Sequence, residues 1–183
     1  NAGEDNGANV IHMMSIMCRF GCATWKDMPE SYMFTQYPNE SQWRSALKYR
    51  GSHVLPPFNY GTDTDLESVK AHLAGEDLLC VTVLLYKDPF DYYPMVGTDG
   101  DYPNVSRGVI FGHGANEFIG TGPHAFTLIG YDDNKEYYNN GELKKGAFLA
   151  VNSWGEGWGV WDDDLGTTSG VWFAYEYIKI GYP

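Results

Sequence analysis

Three runs of aromatic and aliphatic residues in the second half of the chain, 124–131, 147–154 and 171–177, restrict its fold more than any other feature. Each has the length and composition of a strand buried in a sheet. A fourth run, 79–86, is apolar except for Thr82 and reads the same way. The first part is patterned differently. Val10, Met13, Met14, Met17 and Phe20 recur at helical spacing, with Asn9 as N-cap and Gly21 as the residue that ends the turn. This methionine-rich stripe predicts a core-facing side. A second helix is expected over 40–49. A third is expected over 64–73, where Thr64-Asp65-Leu66-Glu67 has the form of a capping box and Leu66, Val69 and Leu73 share a face before Gly75. Residues 87–122, rich in Gly, Pro, Asp and Tyr, read mostly as loop. A helical part followed by a strand-rich part predicts an α+β protein, with 1–75 as the helical part and 76–183 as the strand-rich one.

With 183 residues, 43% of them hydrophobic and 16% aromatic, the chain can bury a substantial core, which argues against disorder. A net charge of −12 repels phosphate backbones, so nucleic acid is not an expected partner. No apolar run is long enough for a transmembrane helix. Residues 1–6 lack the basic start and apolar core of a signal peptide, so a secreted form would have carried its address elsewhere. Two sequons, Asn39-Glu40-Ser41 and Asn104-Val105-Ser106, lean weakly towards an extracellular setting. Cys18, Cys22 and Cys80 are an odd number, so at least one is free or pairs with another chain. Cys18 and Cys22, four apart, are expected on one helix face. No second ligand pair stands at metal-binding spacing, and Asp99 and Asp101 fit no calcium loop, so no metal and no cofactor is expected.

The chemistry lies in two motifs. Gly122-Pro123-His124-Ala125 opens one strand, and Asn152-Ser153-Trp154-Gly155 closes the next, 28 residues further from His to Asn. A thiol hydrolase needs an imidazole to take the proton of its cysteine and to remain as the charged partner of the thiolate. The imidazole needs a third group to fix its orientation and tautomer. An Asn side-chain oxygen does this by accepting from one ring nitrogen, leaving the other for sulfur. Trp154, expected two positions beyond Asn152 on the same strand face, would cover that hydrogen bond. None of the three cysteines suits the nucleophile's role. Cys80 lies in an apolar strand, where burial suppresses the thiolate, and Cys18 and Cys22 lie at a helix C-terminus, the wrong end to stabilise one.

His124-Ala125-Phe126-Thr127-Leu128-Ile129-Gly130-Tyr131-Asp132 resembles the histidine strand of papain-like cysteine peptidases. Asn152-Ser153-Trp154-Gly155 with Trp158-Gly159 resembles that family's asparagine motif, and Gly170-Val171-Trp172-Phe173-Ala174-Tyr175 the strand that follows. Asp5-Asn6-Gly7-Ala8-Asn9 is similar to its Asn-Gly-Gly segment, with Ala8 in place of a Gly. The resemblance covers nearly the whole chain in the family's order and is weak in the middle third. It implies a papain-like fold, with a helical part-lobe followed by an antiparallel, barrel-like β lobe. It implies His124 as general base, Asn152 as its orienting partner and Trp154 as shield. Asn6, Gly7, Ala8, Pro123 and Ala125 would border a peptide-binding cleft, where glycine backbone groups hold substrate as an added strand. Residues 134–145 are expected as an inserted hairpin, and Trp161-Asp162-Asp163-Asp164 as an extra acidic loop.

The family's nucleophilic Cys and the Gln that helps bind the oxyanion precede the Asn-Gly-Gly segment. The resemblance therefore implies that they come from a separate N-terminal chain or segment of the same precursor, with a protein or peptide as substrate and an extracellular or cell-surface location. The alternative is a catalytically inactive papain-like domain used for binding or assembly. Transfer or amidase chemistry on the same Cys-His-Asn site differs only in the acceptor.

Overall fold

Asn9 starts the first helix as the sequence predicts: its side chain accepts from the His12 N–H at 3.1 Å, and helix α1 runs over Val10–Phe20. The computed structural model describes residues 8–29, 36–52, 63–83, 105–112, 124–154, 158–162 and 167–179. They fall in two units, Asn1–Pro57 and Phe58–Pro183.

In the first unit, α1 ends at Gly21, whose φ of 83° favours glycine. A Cβ there would lie 1.8 Å from the carbonyl oxygen of Ala46, so this glycine also lets the helix end touch α2, Glu40–Ala46. A short 3-10 turn, Leu47–Tyr49, extends α2 to the predicted length. Asn39 and Gln42 form a capping box at its start, and the buried Gln42 side chain also donates to the Asp27 carbonyl at 2.6 Å. Asp27 accepts from the hydroxyls of Thr24 and Ser45, which hold its carboxyl below the usual range, Ser45 most strongly. The expectation of a core-facing methionine stripe is overturned. No residue of α1 is buried, and Ile11, Met13, Ile16, Met17 and Phe20 are all exposed. Cys22 lies past Gly21, outside the helix, so it shares no helix face with Cys18.

The second unit is built on a seven-stranded sheet: β1 Leu79–Val83, β2 Val105–Ser106, β3 Val109–Ile110, β4 His124–Asn139, β5 Glu142–Val151, β6 Val160–Asp162 and β7 Thr167–Ala174. The order is β1-β4-β5-β7-β3-β2, with β6 also paired to β7. The pairs are antiparallel except β3 with β7, which is parallel. The chain is thus a mixed α+β protein whose sheet curls into a half-barrel. Phe126, Leu128, Phe148, Val171 and Phe173 form the centre of the core.

Helix α3, Asp63–Ala74, belongs to this unit, because Val69 and Leu73 are buried in the sheet's core. It therefore groups with the strands, in the unit that begins at Phe58. The helix face was predicted; the layer it covers was not. The inserted hairpin of 134–145 is the outer part of one long β4–β5 ribbon, with a register shift between Asp132 and Glu136. Asn140 (φ 51°) and Gly141 (φ 78°) turn its tip, the pairing that matches strand twist in a two-residue hairpin. The last predicted strand stops at Ala174 and becomes a short helix, α4, Tyr175–Lys179. The turn from strand to helix stacks Tyr177 on Phe173, with ring centroids 5.3 Å apart.

Candidate active site

His124 is the first residue of β4 and pairs with Val83 of β1. Strand alternation puts His124 on the same face as Phe126 and Leu128, whose burial orients that face towards the core. On the neighbouring strand, Val151 pairs with Thr127 and is the last residue of β5. Asn152 then leaves the ladder, and its side chain turns towards the first residue of β4. His124 Nε2 and Asn152 Oδ1 are 2.8 Å apart.

The direction of this bond follows from a third group. Asn152 Oδ1 also accepts from the backbone N–H of Ser153 at 2.8 Å. A backbone N–H donates and cannot accept, so the atom facing it is the amide oxygen. The same oxygen faces Nε2, so Nε2 carries a proton. In the neutral ring Nδ1 then holds the lone pair, and among the described residues no group bonds to it. Among the described residues, Asn152 Nδ2 is buried without a hydrogen-bond partner, so within them the amide is held through its oxygen alone.

Aromatic rings enclose the imidazole. Phe126 meets it edge to face with centroids 5.0 Å apart, and Trp154 lies tilted beside it, also at 5.0 Å. Trp158, buried, packs against both Trp154 and Phe126. Trp154 reaches this place from a bend after β5 and not from a strand face, because the strand ends three residues before it. It remains 44% exposed, so it shields one side of the imidazole while facing solvent.

Of the other predicted site residues, Ala125 is exposed on β4 and Ala8 is exposed in the coil before α1, in the first unit. Asn6, Gly7 and Pro123 lie outside the described residues. Phe126 and the Ser153 N–H are site groups that the motifs did not single out. Phe126 was legible from alternation, two residues from His124 on one face; a backbone donor leaves no trace in sequence.

Cys80 is ruled out as nucleophile by the sheet itself. Val83 stands opposite His124 and Val81 opposite Phe126, whereas Cys80 stands opposite Thr127 and so points to the other face. Burial also pushes its thiol above the ordinary range. Among the described residues no cluster of three His, Cys, Asp or Glu side chains could hold a metal ion. No known protein-family model matches the chain, and no curated protein does.

Proposed function

We propose that this chain is the His- and Asn-bearing part of a papain-like cysteine peptidase whose thiol comes from a separate N-terminal chain or segment. The observation that carries the reading is the hydrogen bond from His124 Nε2 to an Asn152 oxygen oriented by the Ser153 N–H. A packing role for His124 would be met by any acceptor, whereas here the acceptor is itself oriented and the second ring nitrogen is left unpaired among the described residues. A thiol hydrolase needs both, because the base must present an unprotonated nitrogen in a fixed direction.

In this mechanism Nδ1 takes the proton of the incoming thiol, and Asn152 holds the resulting imidazolium in place. The thiolate attacks the peptide carbonyl carbon, and the C–N bond breaks as Nδ1–H gives its proton to the leaving amine. Water then attacks the thioester, losing a proton to Nδ1, and the thiol leaves with that proton restored. Pro123 and Ala125, next to the base in sequence, border the substrate in this reading, and the protein acts outside the cell or on its surface. The uncovered apolar residues of α1 support a companion chain, since packing Ile11, Ile16 and Met17 against it removes apolar area worth roughly 25 cal/mol per Å² from water.

The test is an epoxide or chloromethyl ketone probe for reactive thiols, applied to the native particle, with every polypeptide then sequenced. Labelling of a cysteine N-terminal to this sequence, on the same polypeptide or on a companion, is expected. His124→Ala should abolish labelling and peptide hydrolysis while leaving the far-UV circular dichroism intact. A single unlabelled 20.5 kDa species without hydrolytic activity would instead identify an inactive binding domain.

A further inference from the structure

We infer that Ser153 is a positioning residue for the candidate base, acting through its backbone N–H: it sets the tautomer of His124 by locking the side-chain amide of Asn152. This deepens the Cys-His-Asn reading and rests on it for its purpose, although the geometry stands alone. Three groups form the chain Ser153 N–H, Asn152 Oδ1 and His124 Nε2, with both distances 2.8 Å. An imidazole can carry its neutral proton on either nitrogen, and an Asn amide can rotate to exchange oxygen and nitrogen. Two of the three members therefore have a free choice of role. The backbone N–H has none, so it decides for both.

Rotation of the amide would put Nδ2 against a backbone donor and leave that N–H unmade, and Nε2 would then have to present a lone pair. The remaining face of the amide does not oppose the lock, since among the described residues Nδ2 has no acceptor of its own to give up. Phe126 and Trp154, each with its ring centroid 5.0 Å from the imidazole, restrict ring rotation but carry no information about protonation. The directional part of the site thus resides in one main-chain donor. It places the lone pair on Nδ1, the nitrogen that a thiol must reach.

Nitrogen-15 NMR of histidine-labelled full-length chain, at a pH where His124 is neutral, reads the tautomer without thiol or turnover. The expected wild-type pattern is a protonated Nε2 and an unprotonated Nδ1. Ser153→Ala keeps the N–H and should leave both resonances in place. Ser153→Pro removes it and should move both towards averaged positions as the two tautomers mix. A carboxylate offers oxygen on both sides and needs no lock, so Ser153→Pro in the Asn152→Asp background should leave Nε2 protonated. A general disturbance by proline would show in both backgrounds. Predominant Nδ1–H in the wild type overturns the inference, as does a Ser153→Pro variant that keeps the wild-type pattern. If Ser153→Pro does not fold, an ester in place of the Asn152–Ser153 amide removes the same N–H without the proline ring, and the same two outcomes decide. The thiol-labelling experiment fails or succeeds independently, so an error in the proposed reaction is separable from an error here.

Discussion

Asn152 shows how much can depend on one oxygen. Its Oδ1 serves two donors, His124 Nε2 and the Ser153 N–H, and among the described residues its Nδ2 serves none. Asn152→Ala leaves both donors without an acceptor and frees the imidazole to change tautomer. If the proposed Cys-His-Asn reaction holds, this should lower kcat/KM for peptide hydrolysis by about 10²-fold through misplacement of the base, with kcat carrying most of the loss. Single-turnover acylation measured beside steady-state hydrolysis checks the assignment; a change confined to KM would remove it. The pairing of His124 with Asn152 was legible because both side chains sit in short motifs at strand ends. The setting of Trp154 was not. Its face depended on whether β5 ended before or after residue 152, and an apolar run does not mark its own last ladder bond.

At the scale of elements, helix α3 ends in a backbone conformation that its sequence does not favour. The N–H of Asp77 reaches back to the His72 carbonyl and that of Glu76 to Leu73, the two bonds of a Schellman closure, with Glu76 at φ 65°. Gly75 is the obvious terminator in the sequence, yet the positive φ falls one residue later. Glu76→Gly relieves the left-handed strain of a residue bearing a Cβ and should stabilise the second unit by about 0.5–1 kcal/mol, read as a raised urea midpoint at unchanged slope. The same helix is tied to the long ribbon by Lys70, whose ammonium lies 2.6 Å from Asp133. Lys70 first, and then the Tyr175 hydroxyl, hold the Asp133 carboxyl below its usual range. A carboxylate depressed by folding contributes stability above its unfolded pKa, and that contribution is lost as pH falls through the folded value. Asp133 is 56% exposed, so solvent screens the effect. Asp133→Asn should therefore remove a small contribution that is present at pH 7 and flatten the acid limb, so that variant and wild type converge as pH falls below the ordinary aspartate range. An unchanged acid limb would mean that the contact contributes nothing to folding. The α4 helix was hidden for a related reason. Tyr175, Tyr177 and Ile178 are aromatic or aliphatic around a single Glu176, and so short a segment fits a strand or a helix equally well.

For the whole molecule, the distribution of apolar residues carries a consequence of its own. The second unit buries its large side chains in one cluster, with Phe126, Phe148 and Phe173 almost fully enclosed. Composition pointed to the strands that hold this core, since their aromatic and aliphatic residues must be hidden somewhere. Periodicity misplaced α1, because period reveals that a helix has an apolar stripe and says nothing about which chain covers it. Ile16 is 43% exposed and Met17 37%, so replacing either with a charged residue removes little packing within this chain. Ile16→Glu should leave its stability within about 0.5 kcal/mol of wild type, as is usual at solvated positions. If α1 is where the thiol-bearing companion packs, the same substitution puts a carboxylate into an apolar contact and should weaken association more than tenfold. Co-purification and probe labelling would then fall together while the thermal midpoint of the isolated chain stays put. A loss of the midpoint itself would show that α1 is already part of this chain's own core. Unchanged labelling at an unchanged midpoint would place the companion on another surface.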